Sequence, residues 1–195
     1  MPTCKSAGLS EGSHCSVCSH VIQEQIKITA LHDFRPTDVD LQSGTISYIC
    51  SGCNKPLKIT AKVPTEKEVY NTIISMKSKY PEGTPFDNSN TYTTEKLFYN
   101  VIYKGMGCAA FSFELSDAAF GDLPGRIHYD FSNLKVGDII RFLDNTHSAV
   151  VLAVNGDVIT ITEANYNSTV HWERKLNLSE IEDNGWTYVI TRYPE

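Results

Sequence analysis

The pattern of hydrophobic and polar positions divides the chain into two parts. Over residues 1–63, short alternating runs such as residues 45–49 are separated by Gly and Ser, which is typical of small β-hairpins. Apolar positions then recur at helical spacing over residues 65–79, with Thr65 placed to cap that helix. A second helix is expected over residues 108–121, since a Gly-x-Gly turn precedes the apolar run and another glycine ends it.

The C-terminal third of the chain has the pattern of an antiparallel sheet. The Asn155-Gly156 turn between two β-rich runs is a strong hairpin signal. Helices followed by an antiparallel meander predict an α+β fold, in which N-terminal helices pack on an antiparallel sheet. The expected strands cover residues 139–142, 148–154, 158–162, 168–172 and 187–192.

Two folding units are expected: a small β-rich module over residues 1–63 and a main domain over residues 64–195. The main domain is long enough to bury a core, whereas the module has few large apolar residues and needs a metal or disulfides. The module also contains an internal repeat. Its first copy holds Pro2-Thr3-Cys4, Cys15-x-x-Cys18 and Ile28-Thr29-Ala30, and its second holds Pro36-Thr37-Asp38, Cys50-x-x-Cys53 and Ile59-Thr60-Ala61.

Charge narrows the classes of partner. The module carries six Lys/Arg against five Asp/Glu, and the main domain carries 11 against 18, for a net charge of −6 overall. An acidic main domain without a basic stripe disfavours nucleic acid, and no apolar stretch is long enough to span a membrane. The chain opens inside a repeat and lacks the apolar segment of a signal peptide. We therefore expect an extracellular or cell-wall-associated protein whose export signal has been removed.

The sixth cysteine, Cys108, stands apart from the other five, which all lie in the first 53 residues. A thiol attacks a carbonyl well only as the thiolate, which a helix N-terminus or a nearby imidazolium favours. Gly107 lets the backbone turn tightly, so that helix N–H groups are free to form an oxyanion hole. A buried structural cysteine is the other interpretation of this position.

A base and an orienting group follow Cys108 in the sequence. His147 precedes the most apolar strand, where a rigid element can hold a general base. The Asn-Gly hairpin returns residues 162–165 beside residues 144–148, so Glu163 or Asn165 can accept a hydrogen bond from the imidazole. The ordered set predicts a cysteine hydrolase, although each residue alone has an ordinary structural explanation.

These motifs resemble a known family. Gly-x-Gly-Cys108-Ala-Ala-Phe, Val136-Gly-Asp138-Ile-Ile-Arg-Phe, His147-Ser-Ala-Val-Val and Ile-Thr-Glu163-Ala-Asn165 are similar to a CHAP-type domain of the NlpC and papain-like superfamily. The resemblance covers roughly residues 65–195. It implies Cys108 as nucleophile, His147 as base, Glu163 as orienting acid, Asn165 as support and Asp138 as structural. It also implies hydrolysis of amide bonds in bacterial cell-wall peptidoglycan, without a catalytic cofactor.

Two features depart from that family: the domain is acidic, unlike basic wall-binding enzymes, and the residue before the nucleophile differs. CHAP-type domains often place a Gln before the nucleophile to help form the oxyanion hole, and Gly107 stands there in this chain. Tyr103, Asn90 or Tyr92 can take its place, and the sequence does not choose among them. An alternative function is a catalytically inactive hydrolase fold that binds cell-wall glycan or a protein partner.

The two Cys-x-x-Cys pairs predict a structural metal. By analogy with zinc ribbons, we expect Cys15, Cys18, Cys50 and Cys53 to form a tetrahedral zinc site. The module also resembles short cysteine repeats of exported proteins from Gram-positive anaerobes, which implies Cys4, Cys15, Cys18 and His32 as ligands instead. Disulfides in an oxidising exterior are a third possibility.

Overall fold

The computed structural model describes residues 4, 8–28, 32, 34–40, 42–98, 102–183, 185 and 187–194. The chain forms two compact units, Met1–Asp40 with Thr45–Thr60, and Leu41–Gly44 with Ala61–Glu195. The predicted boundary between residues 63 and 64 lies close to this division. Two pieces of the sequence repeat, Pro2-Thr3 and Thr29-Ala30, lie outside the described residues.

The first unit contains short antiparallel strands. Hydrogen bonds join β1 to β4, β2 to β3, and β5, β6 and β7 into a three-stranded sheet. The strands are β1 Gly8–Leu9, β2 Ser13–His14, β3 Val21–Gln23, β4 Lys27–Ile28, β5 Phe34–Asp40, β6 Thr45–Cys50 and β7 Pro56–Thr60.

Both Cys-x-x-Cys pairs of this unit adopt the same turn. In the second, the N–H of Asn54 donates to the carbonyl of Cys50 (2.9 Å), and the N–H of Cys50 donates to the carbonyl of Lys55 (2.9 Å). The first repeats both bonds at the equivalent positions, at 2.8 Å each, from Ser19 to Cys15 and from Cys15 to His20. Asn54 and Ser19 both have a positive φ, at 59° and 60°. We call these turns the first and second knuckles.

The helices of the second unit begin where their caps predict. In α1 (Glu66–Ser75), Thr65 and Glu68 form a reciprocal capping box. Helix α2 (Cys108–Phe120) begins directly after Gly107, and α3 (Leu178–Asp183) is short. No helix among the described residues is long and apolar enough to cross a membrane.

A six-stranded antiparallel sheet forms the centre of the second unit, with strand order β10-β15-β11-β12-β13-β14. Alternate residues of a strand face opposite sides, so Val150 packs in one core cluster with Phe111 of α2, and Val151 packs in the other with Ile181 of α3. A separate hairpin joins β8 (Thr91–Thr94) to β9 (Tyr103–Met106). The sheet strands are β10 Arg126–His128, β11 Ile139–Phe142, β12 His147–Asn155, β13 Val158–Tyr166, β14 Thr169–Asn177 and β15 Tyr188–Thr191.

The predicted α+β, papain-like class is wrong. Strands hold 40% of the residues and helices 20%, so the chain is mostly β, with several antiparallel sheets and three helices among the described residues. Two strands illustrate the difference. Strand β14 runs over nine residues because its ladder with β13 continues past the apolar run at 168–172. Strand β8 lies in residues 86–96, which their polar composition assigns to turns.

Candidate active site and cysteine cluster

The nucleophile candidate, Cys108, is the first residue of α2 and is buried, with 7% of its surface exposed. Gly107 before it has φ +55°, a conformation that L side chains rarely adopt. A Cβ at Gly107 would lie 2.4 Å from Asn88 Oδ1 and 2.6 Å from Asn165 Nδ2. Residue 107 is therefore restricted to glycine both by its backbone and by two amide side chains.

His147 and Glu163 are brought together by the β12–β13 hairpin. Ala149 pairs with Glu163 across the two strands, and His147 Nε2 lies 2.7 Å from Glu163 Oε2. Both residues are buried, Glu163 completely. The carboxylate thus fixes one ring nitrogen of the imidazole and leaves the other for Cys108.

A residue missed in the sequence, Arg174 on β14, holds Glu163 from the other side. Its Nε binds Glu163 Oε1, and its Nη2 lies 3.1 Å from Oε2. The Arg174 guanidinium also lies 4.5 Å from the ring centroid of Tyr166. The buried carboxylate is therefore paired with a cation on both sides, as a buried charge requires. The sequence signal was the β13–β14 pairing, which the expected strand at 168–172 was too short to reveal.

The charges of Cys108 and His147 favour each other. Burial alone raises the pKa of Cys108, but the hydrogen bond and charge of His147 outweigh burial and lower it below its usual value. Burial likewise opposes charge on His147, yet its bonds to Cys108 and Glu163 raise its pKa to about 9. Burial also opposes ionisation of Glu163, and its bonds to His147 and Arg174 still lower its pKa. These shifts all act in the same direction, toward a thiolate, an imidazolium and a carboxylate.

Asn165, predicted to support the histidine, is hydrogen-bonded to another asparagine in the structure. Its Nδ2 donates to Asn88 Oδ1 at 2.9 Å, and no described hydrogen bond joins it to His147. Its backbone has φ +60° at the end of β13. The Asn88–Asn165 amide pair lies where a side chain at Gly107 would project.

The three side chains suggested by the sequence for the oxyanion hole differ in whether they line the cleft or are already hydrogen-bonded elsewhere. Tyr103 lines the cleft beside Cys108. Tyr92 donates its hydroxyl to Asp117 Oδ2 at 3.1 Å, and Asn90 accepts from the Asp87 N–H with its side chain at 2.9 Å. Asn88, which is exposed and lines the cleft, was missed because it lies far from Cys108 in the sequence. In the sequence, the glycine at position 107 was the feature that could have indicated Asn88, because it leaves space for another side chain beside Cys108.

Cys108 and His147 line a cleft of about 470 Å³, although each exposes only 7% of its surface. Its rim includes the exposed side chains of Tyr103, Met106, Leu143 and Tyr166. The cleft is lined by Asn88, Tyr103, Lys104, Gly105, Met106, Cys108, Ala109, Arg141, Leu143, Thr146, His147, Asn165, Tyr166 and Asn167.

Asp138, expected to be structural, is fully buried. Its Oδ2 accepts the backbone N–H of Lys135 at 2.8 Å. Burial raises its pKa to about 6. It does not line the cleft and stays in the turn before β11.

The predicted metal ligands are only half assembled. The ligand atoms of Cys4, His32, Cys50 and Cys53 all lie within 4.8 Å of one another and could hold a metal ion. This cysteine–histidine cluster contains the second knuckle, but Cys15 and Cys18 of the first knuckle lie outside it. The prediction of Cys15 and Cys18 as ligands beside Cys50 and Cys53 is therefore wrong for this cluster. The ligand atoms of Cys4 and His32 lie beside the second knuckle in their place. All six cysteines are free thiols in the structure.

The cluster geometry suits a tetrahedral ion. Cys53 Sγ lies 3.4 Å from His32 Nδ1, and zinc bonds of about 2.3 Å to sulfur and 2.0 Å to nitrogen place such atoms about 3.5 Å apart. A Cβ at Gly52 would lie 2.6 Å from Cys4 Sγ, so the absence of a side chain there lets Cys4 approach.

The fold and site thus define a mostly β protein with a cysteine–histidine–glutamate constellation. No family model matches the chain, and no curated protein matches it. Among solved structures, it is similar to Ly7917, at 14% identity and a TM-score of 0.42, and to Ly7917 with the hydrolyzing product of MDP, at 15% and 0.41. Each match covers 67% of this chain and 63% of the other, so the chain spans less than two thirds of those structures.

Proposed function

We propose that this protein is a cysteine amidohydrolase or endopeptidase that cleaves amide bonds through Cys108. The observation that carries the proposal is the continuous arrangement of Cys108, His147 and Glu163 beside an open cleft. A nucleophile, a base and a group that orients the base are the parts that covalent amide hydrolysis requires.

In the first half of the reaction, His147 takes the thiol proton and the Cys108 thiolate attacks the amide carbonyl carbon. The carbon–sulfur bond forms as the carbonyl oxygen becomes an anion. The imidazolium then gives its proton to the amide nitrogen, the carbon–nitrogen bond breaks, and the amine leaves. A thioester to Cys108 remains, with His147 neutral.

In the second half, His147 takes a proton from water, and the resulting hydroxide attacks the thioester. The carbon–sulfur bond breaks, which releases the carboxylic acid and restores the thiolate and imidazolium. Glu163, held by Arg174, keeps the same imidazole nitrogen in place through both halves. Its role is therefore to orient His147 and stabilise its charged form.

Two groups can stabilise the oxyanion. The first N–H groups of a helix have no partner within the helix, and Cys108 is the first residue of α2. Asn88 lies against Gly107, with its Oδ1 accepting from Asn165 and its own Nδ2 left as a donor. We assign to Asn88 the function that the resemblance gives to a glutamine before the nucleophile.

For the substrate, the resemblance to CHAP-type domains suggests cell-wall peptidoglycan, which fits an enzyme that acts outside the cell. For the first unit, we propose that Cys4, His32, Cys50 and Cys53 bind a structural zinc ion. Three sulfurs and one imidazole are a common donor set for structural zinc, and the 3.4 Å separation of Cys53 Sγ and His32 Nδ1 suits that ion.

Digestion of purified Gram-positive cell walls tests the activity. Wild type should release fragments whose masses identify the cleaved bond, and Cys108→Ala should release none. Cys18→Ala is the matched control, because this exposed cysteine lies outside both the cleft and the cysteine–histidine cluster. Equal release by wild type and Cys108→Ala, or no release by wild type together with slow alkylation of Cys108, would show the proposal to be wrong.

A further inference from the structure

The charge of the cleft is opposite to that of the domain around it. Residues 64–195 carry 18 Asp/Glu against 11 Lys/Arg. The side chains that line the cleft include Lys104 and Arg141, but no Asp or Glu among the described residues. The pKa shifts of Cys108 and His147 favour opposite charges that cancel, so Lys104 and Arg141 give the cleft a net positive charge.

Arg141 is held in a fixed position. Its Nε donates to Asn145 Oδ1 at 3.0 Å, its Nη1 donates to Ser148 Oγ, and its Nη2 donates to the Asn145 carbonyl. These bonds use three of the five guanidinium N–H groups and leave two. Half-buried on β11, Arg141 forms no ion pair within the described part of the chain.

Lys104 lies on β9, four residues before Cys108, and is exposed. Three other lysines of the domain pair with carboxylates: Lys77 with Glu173, Lys79 with Glu114 and Lys96 with Asp122. No such ion pair is found for Lys104 in the described ranges. The unpaired cations of this acidic domain therefore include two that face the same cleft.

We propose that the cleft selects substrates with a free carboxylate close to the scissile amide, bound by Arg141 with Lys104 as a second contact. A guanidinium with two free N–H groups binds a carboxylate through paired hydrogen bonds. The inference deepens the proposed hydrolase function and rests on it. It adds that a neutral or cationic segment at this position is a poor substrate.

A pair of alkylating reagents measures the selectivity directly. Iodoacetate carries a carboxylate and iodoacetamide is its neutral counterpart, so the ratio of their rates at one thiol reports local charge. The rates are followed by mass spectrometry of the peptide that contains Cys108, with mercaptoethanol as the reference thiol. Because thiolate fraction and access affect both reagents, they largely cancel in the ratio.

The iodoacetate-to-iodoacetamide ratio at Cys108 should exceed that of mercaptoethanol. Arg141→Gln and Lys104→Gln should each lower it by about threefold, as expected for one unit charge several ångströms away in a partly screened cleft. Lys175→Gln removes an exposed lysine outside the cleft and should leave it unchanged. His147 is common to all variants, so its charge does not account for differences among them.

Two outcomes overturn the inference in distinguishable ways. Fast alkylation with the same ratio in wild type, Arg141→Gln and Lys104→Gln contradicts carboxylate selection and leaves the hydrolase function standing. Slow alkylation by both reagents contradicts the thiolate, and with it both proposals.

A second arm uses cell walls. Walls whose carboxylates have been amidated with carbodiimide and ammonia should be digested more slowly than untreated walls, and Arg141→Gln should reduce that difference. Fragment masses then distinguish a chain-terminal carboxylate from a side-chain one. Equal digestion of treated and untreated walls by wild type would also overturn the inference.

Discussion

At the scale of single residues, Gly107 links the helix that begins with Cys108 to the loop and strand that supply two asparagines. Its missing Cβ leaves the space that Asn88 and Asn165 fill. If the Asn88 amide stabilises the oxyanion, its removal should slow acylation but not alkylation, since displacement of iodide from iodoacetamide creates no oxyanion.

Asn88→Ala is expected to lower the rate constant of the p-nitrophenolate burst from p-nitrophenyl acetate by about 100-fold. This is the lower end of the rate loss seen when an oxyanion-hole donor is removed. The iodoacetamide rate at Cys108 should stay within about twofold of wild type. Ser89→Ala is the control, because Ser89 binds Asp87 in the same loop and does not line the cleft. An unchanged burst in Asn88→Ala would remove Asn88 from the mechanism.

The pH dependence of Cys108 follows from the direction of two shifts. A lowered cysteine pKa means that the thiolate persists as pH falls, and a histidine pKa of about 9 means that the imidazolium persists as pH rises. The alkylation rate at Cys108 should therefore fall less between pH 8 and pH 6 than that of an ordinary thiol, which loses roughly 100-fold. His147→Ala should restore the steep dependence, and a steep wild-type profile would contradict the ion pair.

The raised pKa of His147 also predicts an upper pH limit for hydrolysis. Above pH 9, His147 loses the proton that the leaving amine needs, so the hydrolysis rate should fall while thiol alkylation stays high. The contribution of His147 to folding stability has the same sign: it is fully present below about pH 6.5 and is lost as pH rises through 9. Parallel pH profiles of hydrolysis and alkylation measure the first effect, and a fall of both together would contradict it.

At the scale of elements, three neighbouring strands build the orienting half of the site. His147 begins β12, Glu163 lies on β13, and Arg174 lies on β14. The hairpin at Asn155-Gly156 fixes the first pairing, and this part could be predicted because the turn signal is local. Arg174 could not be predicted, since it depends on the register of a further strand. Arg141 and Asn88 could not be predicted as cleft residues for the same reason, because their neighbours are set by packing between distant segments.

The knuckles make a separate prediction for the first unit. If the cysteine–histidine cluster binds zinc as proposed, removal of the ion with a chelator, or Cys50→Ser, should unfold this small unit, because binding of a structural metal is coupled to folding. Cys15→Ser should have a smaller effect, since Cys15 lies outside the cysteine–histidine cluster. Metal content by mass spectrometry and proteolysis of residues 8–60 measure this. If Cys15→Ser loses the metal as fully as Cys50→Ser does, the ligand set is wrong.

At the scale of the whole molecule, features that depend on a few adjacent residues could be predicted from the sequence. Features that depend on many distant residues together could not. The Thr65 cap and the helix start at Cys108 each depend on a few adjacent residues. The fold class depends on the total length of strand, and polar stretches such as β8 contribute to it without an apolar pattern. The predicted set of metal ligands was wrong for a similar reason, because the spacing of Cys-x-x-Cys pairs does not show which other segments approach them.

The close fit around Gly107 also constrains how this protein can change. A glutamine before the nucleophile and the Asn88–Asn165 pair would compete for one space, so the two arrangements exclude each other. Gly107→Gln alone should therefore impair the proposed hydrolase activity, although it introduces the residue that CHAP-type domains often place before their nucleophile. Recovery would require Asn88 and Asn165 to shrink, as in Asn88→Gly with Asn165→Gly, and the backbone at residue 107 to leave its positive φ. The path between the two arrangements thus passes through less active sequences, and the order of substitutions limits which descendants can be reached.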